Sequence, residues 1–223
     1  MIRWEQLDTA PIPGGGELRL MRRGTELSIM TGAIELMNSR LSGSEKALAD
    51  LSCAAIAERP QPRILIGGLG MGFTLRAAQA ELPEDAQIVV AELVPGVIAW
   101  ARGPMAPIFL DCLDDPRVTV READVADLIT QAPAAYDAIL MDVDNGPGGL
   151  DRTENDGLYG LDGLSAARAA LRPAGVLAVW SANPNNAFRT ALRRTFLSVE
   201  EHKVSATGTG RGARHIIWLA RTA

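Results

Sequence analysis

The stretch Ile64–Thr74, "ILIGGLGMGFT", decides the fold. An apolar run breaks into four glycines, Gly67, Gly68, Gly70 and Gly72, and resumes with residues able to open a helix. A strand that ends in such a turn marks the carboxyl edge of an open α/β sheet, where ligands bind at the reversal of strand order. Glycine admits positive φ and lets a ligand come close to the main chain. A P-loop would need Lys and Ser or Thr after its last glycine, and Phe73-Thr74 follows Gly72 instead, so that reading fails. The dinucleotide pattern G-x-G-x-x-G is weakened as well. Begun at Gly68 it meets Phe73 at its third glycine, and begun at Gly67 it meets Leu69 at its second.

The sequence on either side fits the same frame. "RILIGG", "QIVVAEL", "RVTVREAD", "YDAILMDV" and "GVLAVWSA" are short apolar runs that end in acidic or small residues. Ala- and Leu-rich helical stretches such as "TLRAAQAEL" lie between them. Continuous apolar strands alternating with amphipathic helices describe a parallel sheet covered on both faces. The last residues, "FLSVEEHKVSATGTGRGARHIIWLARTA", read as an antiparallel hairpin closing the sheet edge. The expected fold is α/β, a doubly wound, Rossmann-like, mostly parallel seven-stranded sheet with that hairpin and a small N-terminal β-appendage. Residues 1–44 are assigned to the appendage and 45–223 to the Rossmann-like domain. The first 16 residues, ending in "PIPGGG", read as a lead-in rather than a packed element, followed by two or three antiparallel strands. A helix from about Glu45 to Glu58 follows, capped by Ser42 or Ser44 and stopped by Pro60 and Pro62.

Composition limits the function. The chain has 223 residues, with 47% hydrophobic and 22% charged, which is the balance of a soluble globular protein. A net charge of −5 argues against a constitutive nucleic-acid or anionic-membrane binder. No run is long and apolar enough to span a bilayer, and the charged N-terminus lacks the core of a signal peptide, so a cytoplasmic location is expected. Cys53 and Cys112 have no metal spacing and read as buried free thiols. No metal is expected.

Gly68-Leu69-Gly70-Met71-Gly72 has the form G-x-G-x-G, typical of sites for S-adenosylmethionine (SAM). Glu92, followed by Leu93, ends the second strand of this region, where a carboxylate can accept bonds from both ribose hydroxyls. Asp124, followed by Val125, ends the third and can face the adenine amino group, cap the next helix, or do both. The fourth strand delivers Asp142 and Asp144 to the same edge, whereas Asp137 at its start is structural. Asn145, Tyr159 and Asn183 read as turn or packing residues, His202 and His215 as non-catalytic, and Trp180 as either a core or a pocket residue.

These motifs together resemble the spermidine synthase-like branch of class I SAM-dependent methyltransferases, over about residue 26 to the end. "ILIGGLGMG" is similar to the family's first glycine motif, "VVAEL" to its ribose-binding strand and "READVADLI" to its adenine-side segment. "YDAILMDVDNGP" resembles its catalytic loop, and "ELSIMTGAIELMNSRLSGSE" its strand-turn-strand segment before a Ser/Asp-Glu pair. The resemblance implies that Glu92 holds the ribose, Asp124 the adenine, and that Asp142 faces the sulfonium and an incoming amine. The departures are Met71 where the aminopropyl-transferring members carry an acid, Leu48-Ala49-Asp50 where they grip the polyamine, and a shortened acid spacing in Asp142-Val143-Asp144. They favour methyl transfer from intact SAM to a small, amine-bearing molecule, with Asp142 and Asp144 as catalytic groups. Aminopropyl transfer from decarboxylated SAM is the alternative, and a non-catalytic scaffold a further one. The apolar N-terminal segment could pair across a homodimer. The Gly-rich segment from Asp144 to Gly157 is expected to close over bound ligand.

Overall fold

In a computed structural model, the protein is described over residues 2–143, 146–147, 155–208 and 212–223, with backbone alone at 155 and 156. The N-terminal strands β1 (Glu5–Pro11), β2 (Glu17–Arg23), β3 (Glu26–Thr31) and β4 (Ile34–Asn38) form one antiparallel sheet in sequential order. A helix, α1 (Gly43–Ala55), leads into β5 (Arg63–Gly67), α2 (Phe73–Glu81), β6 (Gln87–Glu92), α3 (Pro95–Arg102) and α4 (Ala106–Phe109). Then come β7 (Val118–Glu122), α5 (Val125–Thr130), β8 (Tyr136–Met141), α6 (Asn155–Tyr159), α7 (Leu161–Ala170) and β9 (Leu171–Ser181). The chain closes with α8 (Asn186–Thr195), β10 (Ser198–Ser205) and β11 (Arg214–Arg221). The second sheet has the order β10-β11-β9-β8-β5-β6-β7. Its four central pairings among β5 to β9 are parallel, and β11 pairs antiparallel with both β9 and β10. The expected fold class stands.

Strand pleating explains the continuous apolar runs. Ile64 and Ile66 face one side, where they pack with Leu48 of α1, Leu75 of α2 and Trp100 of α3. Leu65 faces the other and packs with Val125 of α5, Leu164 of α7 and Phe188 of α8. Each such side chain removed from water stabilises the fold by roughly 1.5–3 kcal/mol. The N-terminal sheet adds Leu18, Leu20, Leu27 and Ile29 to the first of these cores.

Two local expectations are corrected. The lead-in is a strand: β1 pairs with β2 through a turn in which Ile12 N–H donates to the Gly16 carbonyl at 3.1 Å. Ala10 of β1 is buried, and Asp8 accepts the Trp100 indole N–H at 2.8 Å. Trp100 lies 92 residues from Asp8 in sequence, so the glycines alone made the segment look unstructured. The second correction concerns α1, which begins at Gly43 with Ser42 in the cap position, but neither serine caps it through its side chain. The Ser44 hydroxyl is instead turned onto the Glu45 carboxylate, at 2.7 Å. Cys53 and Cys112 are free and buried as expected, and burial pushes their thiols up to about 12 and about 11. No helix among the described residues is long and apolar enough to cross a membrane.

Candidate active site

Strand order reverses between β5 and β8, and register fixes what stands there. Gly67 pairs with Met141, so the glycine turn and Asp142 leave the sheet side by side, with the Asp142 N–H donating to the Gly67 carbonyl at 2.9 Å. Glu92 pairs with Glu122, which puts the ends of β6 and β7 on the same edge. Gly68 has φ +91°, and a Cβ there would fall 2.4 Å from the Asp142 carbonyl oxygen. Only glycine fits that crossing. Gly70, at φ +50°, would bring a Cβ within 3.1 Å of the Met37 sulfur. Gly72 precedes the first turn of α2 in the left-handed region.

Two cavities open on this edge. The first, of about 280 Å³, is lined by Gly68, Gly70, Glu92, Leu93, Asp124, Val125 and Asp142, and is roofed by Ile12, Leu18 and Ile29 of the N-terminal segment. Nearly every described residue expected to touch the nucleoside therefore borders one space. Gly67 and Gly72 support the turn without lining it. Glu92 is 8% exposed; its Oε2 accepts the Leu69 N–H and its Oε1 the Val94 N–H, both at 2.9 Å. These bonds clamp the carboxylate to both neighbouring turns. Asp124 is the N-cap of α5, its side chain accepting the Ala126 N–H at 2.9 Å, and the residue also lines the cavity.

The second cavity, of about 290 Å³, is lined by Glu35, Asn38, Ser44, Glu45, Met71, Trp180 and His215 among others. Leu36, Met37, Gly70 and Asp142 line both spaces, so Asp142 stands at their junction. The half-buried Asp142 takes a 2.6 Å bond from the Thr74 hydroxyl on its Oδ2. Burial, reinforced by the charge of Glu45, pushes its carboxyl up to about 7 against the Thr74 bond. Burial also raises the Glu45 carboxyl, while the Ser44 bond opposes it. None of the described residues lining either cavity is Lys or Arg.

The remaining candidates divide cleanly. Asp144 and the expected closing segment lie outside the described residues. Asp137 is at the opposite edge, 1% exposed, accepting the Arg63 N–H at 2.9 Å and an Arg172 guanidinium N–H at 2.8 Å. Tyr159 packs edge-on against Phe188, and Asn183 forms a turn with the Ser181 hydroxyl. His202 sits 3.3 Å from Glu200, away from both cavities. His215 does line the second cavity, together with Trp180, whose indole N–H is buried with no partner among the described residues. Glu35, Thr74 and His215 carry no motif of their own. Glu45 was signalled only through the Ser44-Glu45 pair. A groove of about 470 Å³ beside Arg76 and Cys112 contains none of the expected site residues.

No protein-family model matches the sequence. The chain is 27% identical over 172 residues to a polyamine aminopropyltransferase of Mycobacterium tuberculosis, covering 75% of this chain and 31% of that one. It is 29% identical over 127 residues to polyamine aminopropyltransferase 1 of Streptomyces coelicolor, covering 56% and 23%. The matched region thus spans less than a third of these relatives. In structure it is similar to spermidine synthase from Thermotoga maritima, with a TM-score of 0.77 at 19% identity over 98% of this chain and 73% of that one. A spermidine synthase in complex with the transition state analogue AdoDATO gives 0.78 at 18% identity, over 98% and 74%. The expectation of a methyltransferase using intact SAM is overturned by these relatives, which are aminopropyltransferases. The physical reason is visible in the second cavity: the acid missing at Met71 and the gripping residues replaced by Leu48-Ala49-Asp50 had suggested a pocket poor in carboxylates, yet Glu35, Glu45 and Asp142 converge there from three different elements. Motifs, sequence relatives and fold agree in placing the chain's resemblance in the spermidine synthase-like branch of the class I SAM-dependent methyltransferase fold.

Proposed function

We propose that this chain transfers the aminopropyl arm of decarboxylated SAM to a small amine. The observation that carries the reading is a cavity rich in carboxylates, joined at Asp142 to a cavity whose Glu92 and Asp124 suit a nucleoside. A cationic arm and a cationic acceptor are stabilised by Glu35, Glu45 and Asp142, since unpaired ammonium groups are costly to desolvate. The carboxylate of intact SAM, by contrast, would meet these acids with no Lys or Arg among the described residues lining either cavity.

Glu92 would accept the ribose hydroxyls and Asp124 the adenine amino group, with Leu93 and Val125 as apolar walls. Gly68 and Gly70 let the ligand lie against the turn. When bound, the sulfonium supplies an electrophilic carbon and a neutral thioether leaving group. The chain's contribution is to hold nitrogen, carbon and sulfur in line, which can supply roughly 7–11 kcal/mol of barrier reduction. Asp142, with Oδ2 held by Thr74, takes the proton released as the amine nitrogen bonds to carbon and the carbon–sulfur pair leaves with sulfur. A carboxyl titrating near 7 suits that task, because a general base works best when its pKa lies near the operating pH.

The test is competitive calorimetry with decarboxylated and intact SAM, followed by chromatographic detection of 5′-methylthioadenosine on adding diamines. Preference for the decarboxylated form and release of that product are expected. Tighter binding of intact SAM, or no product with any amine, would reject the reading.

A further inference from the structure

We infer that His215 is a specificity-determining residue for the acceptor, binding the amine end that does not react. This rests on the proposed aminopropyl transfer and adds a residue that no motif marks. Topology puts it there. β11 runs antiparallel to β9, with Ile217 opposite Trp180 and Ile216 opposite Ser181, so the start of β11 lies at the carboxyl ends of the parallel strands. His215 lines the second cavity but not the first, whereas Asp142 lines both. Asp142 therefore stands at the junction with the first cavity, the reacting end, and His215 stands in the acceptor space off that junction.

Hydrogen bonding assigns the ring its role. The Ser44 hydroxyl donates to Glu45 Oε2 at 2.7 Å, so its oxygen is left to accept, and His215 Nδ1 is 2.9 Å away. That makes Nδ1 the protonated nitrogen and leaves Nε2 with a lone pair and no partner among the described residues. Trp180 packs edge-on against the ring, with centroids 4.7 Å apart at 72°, and holds its orientation. Burial lowers the imidazole pKa, keeping the ring neutral. An ammonium group at this end could donate to Glu45 and to His215 Nε2 together. The neutral acceptor satisfies a second ammonium proton without adding negative charge beside carboxyls already raised by burial.

The experiment compares 1,4-diaminobutane with 1-aminobutane, which lacks the distal ammonium, by calorimetry on the protein pre-loaded with 5′-methylthioadenosine. His215→Asn keeps a donor near the Nδ1 position and loses the Nε2 acceptor, while His215→Gln does the reverse. For His215→Asn, diamine affinity is expected to fall about tenfold with the monoamine unchanged, the worth of one bond to a charged group. His215→Gln should retain more of the diamine preference. Affinity for 5′-methylthioadenosine should remain within about twofold in both, which also certifies their folding. A His215→Asn protein equal to wild type, or one that loses both amines alike, overturns the inference. Wild type that binds 5′-methylthioadenosine but not the diamine also overturns it and leaves the nucleoside site standing. Binding of neither ligand rejects the proposed function itself.

Discussion

Asp142→Asn should make the protein more stable at neutral and alkaline pH while disabling the reaction. The Asp142 carboxyl is raised from 3.8 to about 7, first by burial and then by Glu45. A carboxyl raised on folding leaves stability intact below its unfolded pKa, near 4, and costs stability progressively until the pH passes its folded value. Above about 7 the loss is constant. At about 1.4 kcal/mol per unit, the full shift has a ceiling of about 4 kcal/mol. Asp142 borders two open cavities, so solvent screening reduces this, and about 2 kcal/mol is the expected size. Asparagine removes the charge and still accepts the Thr74 hydroxyl. Urea unfolding of both proteins should therefore give nearly equal stabilities below about pH 4, and a gap of about 2 kcal/mol in favour of the variant at pH 8. Loss of the base should lower kcat by about 10²–10⁴-fold in the aminopropyl-transfer assay. A gap that is absent at pH 8, or the same at both pH values, would refute the idea that Asp142 is held in a charge-disfavouring site.

Three further outcomes follow from the same geometry. Glu45→Gln removes the charge that helps raise Asp142, so the acidic limb of the pH–kcat/KM profile should move to lower pH; an unmoved limb would show the two carboxyls do not interact. Gly68→Ala places a methyl 2.4 Å from the Asp142 carbonyl oxygen in a strained backbone region, so thermal unfolding should show a loss of about 1–3 kcal/mol together with weakened nucleoside binding. Glu92→Gln replaces one accepting oxygen with an amide donor that opposes either the Leu69 or the Val94 N–H. Calorimetry with 5′-methylthioadenosine should then report a loss of about 1.5–3 kcal/mol, and unchanged affinity would remove Glu92 from the site.

The sequence by itself determined the parallel sheet, its glycine turn and the acids along its carboxyl edge. These are local properties: apolar runs with the pleat's alternation, a turn that requires positive φ, and strand ends that all point the same way because the strands are parallel. The Gly68 crossing, Glu92 and Asp124 were legible for that reason. What depends on segments distant in sequence was decided only by the tertiary structure. Residues 5–11 became a strand because β2 and Trp100 pair with them, not because of their own pattern. The carboxylate-rich character of the second cavity was hidden because Glu35 comes from β4, Glu45 from α1 and Asp142 from the end of β8, while Met71, read in isolation, suggested that acids were missing. His215 carried no signal because it opens an antiparallel strand, and only pairing with β9 turns the start of that strand toward the edge where the parallel strands end. Local pattern fixes what each segment is, but the contents of a cavity depend on the register with which distant segments meet, and that register is a property of the packed whole.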